Sequence, residues 1–201
     1  MKIDIKTNIK EVTKDLSRIQ KKQIPFAASM AINNTLTILS GSRGKIGLLG
    51  FEMKSKLDRP TPFTQKGFYV IRASKKKLIG ILAVKDDVVK YLKYQIDGGI
   101  RSSGKRIAVP TDSKKLNTYG NIPGKRTGVS KNKNEQVMTI GKMTGVYKTH
   151  KGKVVDLLIA FKDRIVYESK FPFYTIASSY INKNFNKHFI KALNKALRSA
   201  K

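Results

Sequence analysis

The chain has no cysteine, no tryptophan, two histidines and thirteen acidic residues among its 201. Without cysteine, disulfides and thiolate metal sites are excluded, which fits synthesis in a reducing cytoplasm. The two imidazoles, His150 and His188, stand apart with no HxxxH or HxH spacing, so each reads as an ordinary surface or boundary residue. The carboxylates are scattered. Their adjacent pair, Asp86-Asp87, suits the opening turn of a helix, where negative charge meets the positive end of the dipole. No nucleophile–base pair, carboxylate dyad or metal cluster emerges, so no catalytic residue, metal ligand or cofactor is expected, and the chain reads as a non-enzyme. Gly120–Lys125 superficially suggests a phosphate loop, but Arg126 stands where such a loop needs Ser or Thr. Long apolar runs are missing too. The longest uncharged stretch, Gln23 to Ser42, is rich in Ala, Asn, Ser and Thr and reads as a buried helix, not a membrane span. The first ten residues alternate charged and apolar side chains without the apolar core of a secretory signal.

What the chain has in abundance is positive charge. Forty-two Lys and Arg leave a formal net charge of +29 and a pI near 10.3. Such an excess destabilises a compact state by self-repulsion unless a polyanion or an acidic partner offsets it. Hydrophobic residues still make up 40% of the sequence and recur with clear periodicity, so a folded core is expected. With no tryptophan, and with its eight Tyr and nine Phe mostly at periodic apolar positions, a stacking platform for single strands is disfavoured.

The pattern predicts an α+β fold in one domain. An N-terminal kinked helix and a long C-terminal helix pack on a central, mostly antiparallel sheet, and a long basic loop or arm spans 98–135. Residues 2–6 alternate like a strand. Ile9, Val12, Leu16 and Ile19 give a helix from about Asn8 one apolar face, with Lys10, Lys14, Arg18 and Lys22 on another. Pro25 suits the first turn of a second helix, or a kink, running to about Leu39. Gly41, Gly44, Gly47 and Gly50 predict a loop. Strands are expected at 68–72 and 78–84, a short helix at 86–94 and a short strand at 105–110. Further strands are expected at 136–142 and 145–161, the latter a hairpin turning at His150–Lys153. The last helix, about 174–198, would be about 37 Å long. Its apolar stripe is Ile181, Phe185, Phe189, Leu193 and Leu197, with Ala192 and Ala196 beside it. Lys183, Lys187, Lys191 and Lys195 recur every four residues, and Arg198 continues the row.

Asp15–Ile19 (DLSRI) followed by Ile24–Asn33 (IPFAASMAIN) resembles the minor tail protein Z family of tailed bacteriophages. Lys170-Phe171-Pro172 leading into a long basic helix is similar to the C-terminal part of that family. Arg59–Thr64 and Tyr91–Gly99 are similar to segments of prophage structural proteins of this size, the second also to tail-completion and neck proteins. The resemblance implies a virion structural protein of the tail top or neck, made in the host bacterial cytoplasm and acting in tail completion and head–tail joining. It implies a homo-oligomeric ring around the genome channel, with connector, neck and tail-tube proteins as partners and no membrane. The family has no catalytic residues to carry over.

A ring around a DNA channel needs many weak phosphate contacts and no base reading. The residues expected to meet DNA or acidic partner proteins are Lys10, Lys14, Arg18 and Lys22 at the N-terminus and Arg101, Lys105, Arg106, Lys125 and Arg126 in the middle. Lys183, Lys187, Lys191, Lys195 and Arg198 complete the set at the C-terminus. The alternative from another class is a free, non-specific nucleic-acid-binding protein, although no helix-turn-helix, zinc-finger or RRM signature is present. A nuclease or packaging enzyme is a third reading, without a recognisable site.

Overall fold

The computed structural model describes residues 2–5, 18–42, 44–112, 114, 116–122 and 134–198. Helices and antiparallel strands combine in an α+β fold, as the periodicities require. Where length and composition suggested one domain, the chain divides into two compact units, Met1–Ile96 with Lys170–Lys201, and Asp97–Ser169.

The first unit contains β1 (Lys2–Ile5), α1 (Arg18–Ser40), α2 (Leu48–Lys56), α3 (Pro62–Gln65), β2 (Phe68–Ile71), β3 (Gly80–Val84) and α4 (Asp86–Ile96). Its three strands are antiparallel in the order β1-β3-β2. Of the two expected roles for Pro25, a helix start or a position inside a kinked helix, the second holds, since Pro25 lies within a helix that is continuous from Arg18. Residues 8–17 of the expected helix lie outside the described residues. An interior proline removes a backbone donor and costs about 3 kcal/mol in an isolated helix. Burial of Ala27, Ala28, Ala31, Ile32, Leu36 and Leu39 along the same helix offsets that loss. Gly41 ends α1 in the left-handed region (φ +83°), its N–H donating to the Thr37 carbonyl at 2.8 Å. The expected glycine loop stops at Gly47, because Leu49 and Met53 find a core and carry Gly50 into helix α2.

The core joins Ile32, Leu36 and Leu39 of α1 to Leu49 and Met53 of α2, Phe68 of β2, Leu82 and Val84 of β3, and Val88, Leu92 and Ile96 of α4. Gly80 lets α1 lie close on the central strand. A Cβ there would meet Ile32 at 2.5 Å and Leu36 at 2.7 Å. Asp86 and Asp87 open α4 as expected, and Asp87 accepts from Lys90 Nζ at 2.7 Å.

The chain leaves this unit after α4 and returns at Lys170, where the N–H groups of Lys170 and Phe171 both donate to the Gln95 carbonyl at 2.8 Å. The second unit is therefore an insertion whose two ends are tied together. It contains β4 (Gly99–Pro110), β5 (Glu135–Ile140), β6 (Met143–His150) and β7 (Lys153–Tyr167), ordered β4-β7-β6-β5 and antiparallel throughout. The β6–β7 hairpin turns where expected, with Lys151 (φ +49°) and Gly152 (φ +77°) at its tip. The short strand expected at 105–110 is present and longer than expected, since Gly99–Pro110 pairs with β7, so the expected loop or arm does not span 98–135 as a whole. Ile107 is buried in the strand, while Ile100 is exposed. Of the rest, 123–133 lies outside the described residues. Val146, Leu158 and Ile159 form a small core, packed by Ala108, Ile122 and Phe161.

Back in the first unit, α5 (Phe173–Arg198) is the long C-terminal helix. Phe173 stacks on Phe68 at 5.8 Å between ring centroids and anchors its start. Among the described residues, no helix is long and apolar enough to cross a membrane.

Candidate polyanion interface

Alanine decides how α1 and α5 meet. Ala27 and Ala31 pack with Ala192 and Ala196, all four buried, flanked by Phe26, Met30, Phe185, Phe189 and Leu193. The first half of α1 thus meets the last half of α5. The second half of α1 shares a cluster with the first turns of α5, so the helices run antiparallel. Close approach of alanine to alanine consumes the apolar face of α5 and leaves its other flank to solvent. Leu197, expected in the buried stripe, is 43% exposed.

Lys183, Lys187, Lys191, Lys195 and Arg198 are all exposed on that flank. Four residues turn a helix by about 400°, so a row at this spacing advances about 40° per step. The buried stripe of α5 follows the same spacing, and the lysines keep to its flank as it winds. No carboxylate occurs in the sequence after Glu168, nor between Asp15 and Glu52. The helix pair therefore has no acidic partner of its own. Among the described residues, ion pairs join Asp58 to Arg59, Asp87 to Lys90 and Lys114 to Glu135, and none involves the α5 row. His188 sits within this field. Partial burial, and then the charges of Lys187 and Lys191, hold its pKa below the ordinary imidazole value, and its Nε2 lies 3.4 Å from the Tyr180 hydroxyl.

The other expected residues are spread widely. Lys10, Lys14, Lys125 and Arg126 lie outside the described residues. Arg18 opens α1, and Lys22 is exposed one turn later. In the second unit Arg101 is half-buried on β4 opposite Ile165, while Lys105 and Arg106 fall where the register shifts between Ser102 and Ile107. Those two belong to an irregular strand segment, not to a loop.

Four cations escaped the sequence reading because they come from four separate places in it. Lys45 follows α1, Lys66 ends α3, Arg72 follows β2 and Lys85 precedes α4. All four line one cavity of about 630 Å³ beside the C-terminal half of α1. No periodicity links them, and the only local signal was the basic character of each connection. No group of three or more His, Cys, Asp or Glu able to hold a metal ion occurs among the described residues. In comparisons with known proteins, no family model, no curated protein and no solved structure matches the chain.

Proposed function

We propose that this chain is a structural protein of a bacteriophage virion, placed at the neck or tail top. There it forms a ring that helps join tail to head and contacts the channel DNA without reading its sequence. It works as a scaffold and not as an enzyme. The observation that carries this reading is the exposed, carboxylate-free lysine row on α5. Such a row is unfavourable in isolation, since like charges four apart repel on a helix. Evenly spaced phosphates relieve that repulsion, and each neutralised phosphate releases counterions. The resemblance of residues 15–33 to the minor tail protein Z family supplies the virion setting.

Fractionating virions into heads and tails, with mass spectrometry of each, tests the placement. The chain is expected with the tail or neck fraction, and negative-stain images of the purified protein are expected to show rings or particles bound to tails. A protein that stays monomeric and joins neither heads nor tails would overturn the proposal. If that monomer still bound DNA with a steep salt dependence, the free nucleic-acid-binding reading would replace it.

A further inference from the structure

The cavity beside α1 is lined by Lys45, Lys66, Arg72 and Lys85 and, among the described residues, by no carboxylate. A lysine row on one helix is a solvated face by default. Four cations converging from separate connections are different, because folding itself must bring them together against their repulsion. Asp86 and Asp87 follow Lys85 directly, yet neither lines the cavity, and Asp87 is held by Lys90 at 2.7 Å.

The wall between the cations is polar. Asn34, Thr37 and Ser42 contribute amide and hydroxyl groups. The free edge of β2 contributes backbone. The Gly67 carbonyl accepts from Lys85 N–H at 2.8 Å, which makes this the hydrogen-bonded pair of the antiparallel register. Alternation then turns Tyr69 and Ile71 toward β3. The peptide groups of Phe68 and Val70 face the other way, where the sheet has no further strand among the described residues. Both residues line the cavity, so it presents backbone N–H and C=O groups as well as cations. Tyr69, 40% exposed, also lines it. The volume of about 630 Å³ exceeds what one inorganic phosphate needs and falls within the range of small-molecule sites.

We infer that this cavity binds a nucleotide unit. Lys45, Lys66, Arg72 and Lys85 hold its phosphates, and the β2 edge with Asn34 and Tyr69 meets its sugar and base. The unit is either a free nucleoside phosphate or one nucleotide of a strand. The inference stands on the cavity and does not depend on where the chain sits in a virion.

Calorimetric titration of the full chain with ATP, inorganic phosphate and a single-stranded oligonucleotide at physiological salt tests it. The comparison is between the double variant Lys45→Gln, Arg72→Gln and the control Lys142→Gln, Lys162→Gln, with folding checked by circular dichroism. All four side chains are exposed, so neither variant disturbs the core. One saturable site per chain is expected, weakened at least about tenfold by the cavity variant and unchanged by the control. Saturation by ATP identifies a free nucleotide as the ligand, and saturation by the oligonucleotide alone identifies a strand. Equal losses in both variants would reduce the effect to bulk charge and overturn the inference, as would the lack of any saturable site for ATP or oligonucleotide.

Discussion

The side-chain amide of Asn33 holds the backbone of Ala73 at both of its polar groups. Its Nδ2 donates to the Ala73 carbonyl at 3.0 Å, and its Oδ1 accepts the Ala73 N–H at 2.8 Å. A side chain in the middle of α1 thereby imitates a strand partner and fixes the chain as it leaves β2. Asn33 belongs to the uncharged stretch Gln23–Ser42. The structure gives that stretch a packing role, with Ala27, Ala28 and Ala31 buried on the same helix.

Replacing Asn33 by Ala leaves the buried Ala73 N–H and C=O without partners. A loss of about 1–3 kcal/mol is expected in urea unfolding, with the m-value unchanged. Asn33→Asp keeps the acceptor for the Ala73 N–H and should lose less. Equal stability of wild type and Asn33→Ala would show that water replaces the clamp.

The alanine seam between α1 and α5 has no room for larger side chains. Ala31→Leu or Ala192→Leu should destabilise by about 1–3 kcal/mol, because the helices must separate or the side chain must leave its rotamer. Exposed Ile190→Ala is the contrast, with a small effect expected from its 58% exposure. A thermal melt of each variant decides between them.

Changing Lys183, Lys187, Lys191 and Lys195 together to Gln should separate stability from binding. Removing three like-charge pairs stabilises α5 by about 1 kcal/mol in sum, since each pair costs a few tenths. Affinity for duplex DNA should fall, and the slope of log K against log salt should shrink by up to about 3–4 units. A slope that does not change would place the DNA contacts elsewhere.

His188 makes stability depend on pH in a defined direction. Its folded pKa lies below 6.5, so the unfolded chain takes up the proton first as pH falls. Stability is then lost from about pH 6.5 downward, through the depressed folded value. The groups that set the shift are the partly burying surroundings, Lys187 and Lys191, with Tyr180 as the hydrogen-bond neighbour. His188→Gln should flatten the stability profile between pH 7 and 5, read by urea midpoints. Parallel profiles for the two proteins would remove His188 as the source.

Where a segment's apolar spacing matched a single periodicity, its element was legible. The α5 helix, the β6–β7 hairpin, the β2–β3 pair and the acidic start of α4 all follow from side chains within a few residues of one another. Pro25 left two readings open, a helix start or a kink, because local propensity allows either, and the burial of Ala27 through Leu39 against α5 and the sheet carries the helix through it. At Gly50 too, packing outweighs local propensity: burial of Leu49 and Met53 carries it into α2, and the Gln65 carbonyl sits where a side chain would be. The row on α5 could be read from four-residue spacing. The cavity cations could not, since Lys45, Lys66, Arg72 and Lys85 share no period.

By itself, then, the sequence determined the sign of the charge, the α+β class and the lysine row, because each depends on composition or on neighbours along the chain. Tertiary structure decided what long-range packing alone can decide. It set the antiparallel seam of alanines, the insertion tied at Gln95, the grip of Asn33 on Ala73 and the meeting of four cations around one cavity. Each of these joins residues tens of positions apart, and the free energy that joins them comes from burial elsewhere in the fold.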